Sequence, residues 1–401
     1  MKKKKNLDNF GVFSFSKLVS SQAVKKENNF DVIIIGGGLS GLTAALHLLS
    51  YSNLDILLIE KDAYPRNRVC GEYVSNEVLP YLNTLGISPF EMGAIAIDEL
   101  EFSNVDGKSI KAKLPLGGFG ISRYLLDNHL YEKVKNQGCN LLKETVESVD
   151  FMRKGFEVIT SEKDIFTASI VIGSFGKRSN LDIFLSRQFI KKPSPWLAVK
   201  AHYYGDHPEN RVGLHNFTGG YCGISKVEEN KINVCYLADF KSFKKYKNLE
   251  QYQDEVLCQN QHLNTFFKES EMIFNKPLTI SQIAFDQKKL VESHILMCGD
   301  SAGLIHPLCG NGMAMAISSA KILSECVLEF FQTKNMDRSL LEKDYQEKWK
   351  NEFSRRLRAG KILQRILENE KVANFGIGIL KYAPGVMTNI IGRTHGKPLV
   401  V

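Results

Sequence analysis

The sequence predicts an α/β protein in which a parallel-sheet domain is assembled from separated segments, with an antiparallel-sheet domain inserted and a helical C-terminus. Continuous apolar runs, typical of strands buried on both faces, lie far apart at residues 30–35, 168–173 and 295–298. Between residues 195 and 284 the pattern changes to alternating, aromatic-rich segments, which indicate a sheet with one face in water. After residue 311 the periodicity is helical.

The first apolar run leads directly into a glycine turn and the start of a helix. Gly36 permits the tight turn, Gly38 lets backbone approach a pyrophosphate, and Gly41 lets the helix pack closely on the strand. The helix N-terminus adds unpaired N–H groups and a positive dipole end. A second strand, residues 55–59, ends at Glu60, where a carboxylate would accept hydrogen bonds from ribose hydroxyls. This order of parts predicts a dinucleotide site.

Length, charge and cysteine content exclude several classes of function. The 401 residues suit two domains, or one large domain with an insertion. Seven lysines against Asp8 and Glu27 place +5 of the formal charge of +8 in residues 1–28, so we expect a basic flexible tail and no nucleic-acid partner. Eight scattered cysteines, without a C-x-x-C pair or a histidine cluster at zinc spacing, predict free thiols, a cytoplasmic location and no metal site. No apolar run is long enough for a transmembrane helix.

Three further motifs carry chemistry. The block Gly299–Met313 follows the last buried strand and opens an apolar helix. The other two are the polar loop Pro65–Glu72 and the pair Arg123 and Asp127 at a helix start. Together with the glycine turn, these motifs make residues 30–330 resemble the FAD-dependent oxidoreductases of the p-hydroxybenzoate hydroxylase fold. Within that fold the chain looks most like the branch that holds geranylgeranyl reductases, flavin halogenases and related monooxygenases.

The resemblance implies a non-covalent FAD and a role for several residues. Asp300 matches the acid that holds the ribityl chain, and Arg123 matches an arginine that reaches the cofactor near its pyrophosphate. The segment Gly310–Met313 would place backbone N–H groups against the pyrimidine end of the flavin, where reduced flavin carries negative charge. Besides the glycine turn and Glu60, the cofactor-binding residues implied are Arg68, Cys70, Arg123, Asp300, Gly310, Asn311, Gly312 and Met313.

The residues that would act on a substrate carry a weaker signal. His306 lies in the loop expected beside the flavin ring and is the candidate for donating a proton to a product. Tyr73, Tyr221 and Lys226 are candidates for lining a substrate pocket. Because the chain has one glycine fingerprint, NAD(P)H would dock transiently as electron donor, as in this family, or a partner protein would deliver electrons.

Departures from the family patterns leave the reaction open. Hydroxylases of this fold usually carry Asp-Gly after the middle strand, where this chain has residues 174–179, and the halogenase signature Trp-x-Trp-x-Ile-Pro is missing. Residues 220–226 lie where archaeal-type geranylgeranyl reductases carry Tyr-x-Trp-x-Phe-Pro-Lys, but lack the Trp, Phe and Pro. The first expectation is a monooxygenase that hydroxylates or epoxidises an apolar small molecule. The alternatives are flavin-dependent reduction of a C=C bond and a non-enzymatic carrier of prenyl or lipid groups.

The domain boundaries follow from these segments. The predicted parts are an FAD-binding domain of residues 29–78, 117–185 and 286–335, a substrate domain of residues 79–116 and 186–285, and a C-terminal helical region of residues 336–401. The apolar stretch 372–392 in the last region would cap an apolar substrate channel or contact a membrane surface peripherally. Packing against the body is the more common outcome for such a stretch.

Overall fold

The computed structural model describes residues 28–306, 309–333, 336–368 and 384–400. The predicted basic tail lies outside this part of the chain except for its last residue, and so do residues 372–383 of the apolar C-terminal stretch.

The strands of the described part alternate with helices at first and then run consecutively. In chain order they are β1 Asn29–Ile35, β2 Ile56–Ile59, β3 Tyr73–Ser75, β4 Ile95–Ser103, β5 Ser109–Gly120, β6 Asn140–Leu142, β7 Val146–Met152, β8 Gly155–Thr160, β9 Ile165–Gly173, β10 Trp196–Tyr204, β11 Arg211–Phe217, β12 Gly220–Lys226, β13 Ile232–Asp239, β14 Glu271–Met272, β15 Leu278–Ser281, β16 Val291–Glu292 and β17 Ile295–Met297. The helices are α1 Leu39–Tyr51, α2 Leu79–Thr84, α3 Arg123–Asn136, α4 Asn180–Phe184, α5 Phe240–Phe243, α6 Leu249–Glu255, α7 Gln261–Glu269, α8 Gly312–Gln332, α9 Arg338–Glu368 and α10 Pro384–Thr394.

The first sheet has the strand order β16-β17-β9-β1-β2-β6. Its strands from β17 to β6 pair in parallel, and Ile33 at the centre of β1 lies opposite Val171 on one side and Leu57 on the other. All three residues are buried, because α1 packs on β1 and β2 and the side chains on both faces of the sheet belong to one large apolar cluster. The predicted parallel sheet built from separated segments is therefore confirmed.

The second sheet has the strand order β14-β10-β13-β12-β11-β4-β5-β3, and β15 pairs with β10. Its pairs are antiparallel, as predicted, except for β11 and β4, which run in parallel. Gly107, at φ +80°, makes the turn between β4 and β5 that the Asp-Gly sequence predicts. Residues 73–75 and 117–120 belong to this sheet, although the predicted boundaries place them in the FAD-binding segments.

The described residues of the C-terminal region are mainly helical, as predicted. Helix α9 packs on α8, and α10 packs on α9 and on β5. Met387 and Ile391 of α10 join Leu114 of β5 in one apolar cluster. The described end of the apolar stretch thus packs against the body, while its contact with a membrane surface stays a prediction. Among the helices that the structure describes, none is long and apolar enough to cross a membrane.

Candidate active site

A cavity of about 820 Å³ is lined by residues of both sheets and brings the predicted motifs together. Its size is that of a cavity for a ligand, since such cavities measure roughly 300–1,000 Å³. The predicted cofactor residues on its wall are Gly36, Gly38, Glu60, Arg68, Cys70, Arg123, Asp300, Gly310, Gly312 and Met313. Gly41 and Asn311 lie behind the wall, at the starts of α1 and α8.

The glycine turn has the geometry that the sequence predicts. Gly36 has φ +102°, and a Cβ there would lie 2.5 Å from the carbonyl oxygen of Ser174. A Cβ on Gly41 would lie 2.0 Å from the carbonyl oxygen of Gly36, so only glycine lets α1 pack this closely on β1. At Gly38 a Cβ would meet only Arg123 Nη2, at 3.9 Å, which leaves space for phosphate before the open N-terminus of α1.

Glu60 is held at the edge of this cavity by a network of donors. The backbone N–H of Gly37 donates to Oε2 at 2.7 Å, and the backbone N–H of Asp62 donates to Oε1 at 3.0 Å. Arg66 Nη2 lies 3.0 Å from Oε2, while Arg68 pairs mainly with Asp62, at 3.1 Å. The carboxylate therefore lies on the cavity wall in a fixed orientation, and its role as ribose acceptor stays a prediction.

Arg123 is a fixed cation on the wall beside Gly38. Its Nε and Nη2 donate to the two carboxylate oxygens of Asp127, at 2.7 and 2.6 Å, and the Asp127 side chain is fully buried. Burial alone would lower the pKa of Arg123, but the Asp127 carboxylate raises it above the ordinary value, so the positive charge persists. This charge faces the place where a pyrophosphate would bind.

The opposite part of the cavity meets the N-terminus of α8. Gly310, at φ +60°, turns the chain into the helix, and a Cβ on Gly312 would meet nothing within 4 Å. Asn311 does not cap the helix with its side chain but donates through Nδ2 to the carbonyl oxygen of Thr394, at 2.8 Å. The start of α8 thus lies on the cavity wall without a side-chain cap, and Asp300 lines the same cavity. A flavin dinucleotide fits this arrangement.

A buried charged cluster at the junction of the sheets was missed by the sequence reasoning. The carboxylate of Glu72 accepts from Lys200 Nζ at 2.5 Å, from His202 Nε2 at 2.6 Å and from the backbone N–H of Arg123 at 2.7 Å. Burial would raise the pKa of Glu72, but Lys200 and His202 lower it, and the net shift is downward. Lys200 and His202 are two residues apart in an otherwise apolar strand, so their side chains lie on the same face. This spacing of two polar residues is the feature of the sequence from which the cluster could have been predicted.

His306 is placed less favourably than its sequence position predicts. It lies off the cavity wall, among the rings of Trp196, Tyr221 and Phe285, with centroids 6.0, 6.1 and 4.8 Å away. Burial lowers its pKa to about 4, and among the described residues neither ring nitrogen has a hydrogen-bond partner. A neutral imidazole in this setting is poorly suited to donate a proton near pH 7.

Beyond the start of α8 the cavity becomes an apolar chamber. Its side chains come from the second sheet and α10: Leu100, Phe102, Leu114, Val212, Leu214, Met387 and Ile391. Of the predicted substrate-pocket residues, Tyr73 and Tyr221 line the cavity. Lys226 is not on its wall and pairs with Glu209 at 3.6 Å.

Comparison with known families and proteins gives three kinds of likeness. Residues 34–94 match the model of the NAD(P)-binding Rossmann-like domain family. Conditioned medium factor receptor 1 of Dictyostelium discoideum is 24% identical over 359 residues, covering 82% of this chain and 68% of that protein. Digeranylgeranylglycerophospholipid reductase of Methanococcus aeolicus is 25% identical over 376 residues, covering 86% of this chain and 89% of that protein. The FAD-dependent monooxygenase prhF of Penicillium brasilianum is 23% identical over 342 residues, covering 76% of this chain and 71% of that protein.

Among solved structures, the flavin-dependent brominase Bmp2 superposes with a TM-score of 0.74 at 16% identity, covering 91% of this chain and 93% of that one. This superposition confirms the fold predicted from the motifs, and the reductase and monooxygenase named above support the prediction that the chain is an enzyme. The chain is an enzyme with the fold of the FAD-dependent oxidoreductases.

Proposed function

We propose that this protein is an FAD-dependent monooxygenase that hydroxylates or epoxidises an apolar small molecule. The observation that carries the proposal is one continuous cavity, in which two open helix N-termini adjoin the apolar chamber. When bound, FAD supplies the electron transfer to oxygen and substrate that no side chain supplies.

The described residues divide the work of binding the cofactor. The start of α1 and the Arg123 guanidinium would hold the pyrophosphate, and the Glu60 carboxylate would accept from the ribose hydroxyls. Asp300 would accept from the ribityl hydroxyls. The N-terminus of α8, at Gly312, would stabilise negative charge on the pyrimidine side of the ring.

The apolar chamber binds and orients the substrate. Leu100, Phe102 and Leu214 present no hydrogen-bonding group, so they select an apolar molecule and exclude water from the reacting atoms. Met387 and Ile391 of α10 close the chamber on the C-terminal side. NAD(P)H as a transiently docked electron donor is part of the proposal, supported by the single glycine fingerprint; anaerobic bleaching of the flavin by NADPH or NADH would test it.

Reduction of a C=C bond is the second candidate. The observation in its favour is the extent of the match to the Methanococcus reductase, which covers 89% of that protein, against 71% for the monooxygenase prhF. The two candidates use the same cavity and differ in whether oxygen takes part.

One experiment separates the candidates. The protein is reconstituted with FAD, reduced without oxygen, and mixed with a panel of prenols and aromatic polyketides. Product that forms only after ¹⁸O₂ is admitted, and carries the label, supports the monooxygenase. Product that forms before oxygen is admitted overturns it in favour of the reductase. If the purified protein takes up no FAD, both enzymatic candidates are overturned and the non-enzymatic carrier of prenyl or lipid groups becomes the favoured function.

A further inference from the structure

Two neighbouring turns on the wall of the main cavity, the one of about 820 Å³, are joined to each other. One follows β9 and includes Gly176 and Lys177, and the other, the Asp300 turn, follows β17. Because β9 and β17 pair in parallel, their carboxyl ends lie side by side. Ser301 connects the turns, since its Oγ accepts from the backbone N–H of Gly176 at 2.9 Å and donates to the Gly176 carbonyl oxygen at 3.2 Å. The place of Asp300 in the cavity therefore depends on the turn after β9.

A buried lysine makes a second connection between these turns. Lys288 Nζ donates to the carbonyl oxygen of Asp300 at 2.7 Å and to that of Lys177 at 3.1 Å. The residue is only 6% exposed, and its ammonium lies 4.3 Å from the centre of the Phe189 ring. Lysine is rarely buried this far unless its charge has a partner, and both oxygens that it reaches here belong to residues of the cavity wall. The buried ammonium thus holds the two turns together.

A buried arginine fastens the same stretch of backbone. Arg187 Nη2 donates to the carbonyl oxygens of Ser301 and Lys289, both at 2.9 Å, and Nη1 pairs with the Asp182 carboxylate at 2.9 Å. An arginine in a protein keeps its charge at every ordinary pH, so this fastening is constant. Lys288 differs from it, because a buried lysine can lose its charge.

The surroundings of Lys288 bring this loss of charge close to neutral pH. Burial lowers the pKa of Lys288 to about 8. The carboxylates of Asp300 and Asp182 raise the pKa and the cations Arg187 and Lys177 lower it, each by less than burial does. The ammonium therefore loses its proton at mildly alkaline pH, well below the ordinary value of 10.5.

We propose that Lys288 is a positioning residue for the cofactor, whose charged ammonium holds the Asp300 turn in the form that binds FAD. Hydrogen bonds from a charged donor are roughly twice as strong as those from a neutral one, so loss of the proton weakens both contacts to the turns. The Asp300 carboxylate, which is predicted to accept from the ribityl hydroxyls, is then held less firmly. The proposal rests on the FAD binding in the proposed function, and not on which reaction follows.

The test measures the dissociation constant of FAD for the full chain from about pH 6.5 to about pH 9.5, through the change in flavin fluorescence on binding. In the wild type we expect a constant value below pH 8 and a rise of about tenfold between about pH 8 and 9. The direction follows because FAD binds the protonated form more tightly, and the pKa of Lys288 is therefore higher in the complex than in the free protein.

Three variants make the result specific. Lys288→Met should bind FAD about tenfold more weakly than the wild type near pH 7, with no step at higher pH, since it carries no charge to lose. Lys288→Arg keeps the charge, so its affinity should stay constant up to about pH 9.5. Lys289→Met is the matched control, because this neighbouring side chain is exposed and pairs with Glu292. It should reproduce the wild-type profile.

The profiles distinguish a failure of this proposal from a failure of the proposed function. A wild-type dissociation constant that stays level between pH 8 and 9, or a Lys288→Arg profile that rises as the wild type does, would overturn the positioning role of the Lys288 charge and leave the proposed function standing. Neither outcome requires Lys288→Met to fold. A wild type that takes up no FAD at any pH would overturn both.

Discussion

The two ends of the cavity bind by opposite means. At the dinucleotide end Glu60, Arg123 and Asp127 are each tied to charged or backbone partners, and Gly36 and Gly41 leave no room for a side chain. At the chamber end the wall consists of side chains such as Leu100 and Val212, which present volume and no polar group. The first end therefore selects by fixed geometry and charge, and the second by shape. A single change should cost much folding stability and FAD affinity at the first end, and little of either at the second.

The largest effect is expected from Arg123→Met. It leaves the Asp127 carboxylate buried without its partner, which should lower the free energy of unfolding by about 3–5 kcal/mol and abolish FAD binding. Urea denaturation and flavin fluorescence measure the two losses. As a control, Lys113→Met breaks the exposed pair with Asp98 and should change little. Equal losses of unfolding free energy and of FAD binding in both variants would contradict the expectation that the buried pair of Arg123 and Asp127 matters more than an exposed pair.

Glu72 lies where the two ends of the cavity meet. Glu72→Gln should lower the free energy of unfolding by about 1–3 kcal/mol, because Lys200 stays buried without a counter-charge. The pKa of Glu72 is lower in the folded protein than its ordinary value near 4.5. The ionised carboxylate therefore contributes fully to the free energy of unfolding above about pH 4.5, and this contribution is lost as the pH falls through the folded pKa. The difference between variant and wild type should therefore shrink in acid.

Urea midpoints measured from neutral to acid pH test this difference. The double variant with Glu72→Gln and Lys200→Met removes both charges and should recover part of the stability. A difference from wild type that stays constant down to the lowest pH would show that the carboxylate charge contributes nothing.

Gly41→Ala tests the close packing at the dinucleotide end. The new methyl group would lie 2.0 Å from the Gly36 carbonyl oxygen, so α1 must shift, at about 1–3 kcal/mol, and FAD affinity should fall. The same change at Gly392 of α10, which does not line the main cavity and where a Cβ would meet nothing within 4 Å, should leave FAD affinity unchanged. Thermal melting and FAD titration distinguish the two variants.

The dinucleotide end was predictable because its function depends on local backbone geometry. Gly36, Gly41 and Gly312 act through turns and helix starts that a few neighbouring residues determine. Glu60 followed from its distance along the chain to the glycine turn. Such features appear in a sequence as short motifs.

The chamber end was not predictable in the same way. Leu100, Leu214 and Ile391 are ordinary apolar residues that lie far apart in the chain, and only the pairing of β4 with β11 and the packing of α10 on β5 bring them together. No local pattern distinguishes them from core residues. For His306, in contrast, the neighbouring sequence indicated a place beside the flavin ring. The loop instead directs its side chain into a cluster of aromatic rings.

The smallest effect is expected from His306→Phe. A general acid contributes about 10²–10⁴-fold to the rate, so its removal would be conspicuous. The structure predicts otherwise, because burial lowers the pKa of His306 to about 4 and the neutral ring lies among Trp196, Tyr221 and Phe285. We expect kcat within about twofold of wild type and the same pH profile near neutrality, since the group does not titrate there. A fall in kcat of about a hundredfold or more, together with a shifted pH profile, would instead show that His306 acts as a general acid at the chamber end of the cavity.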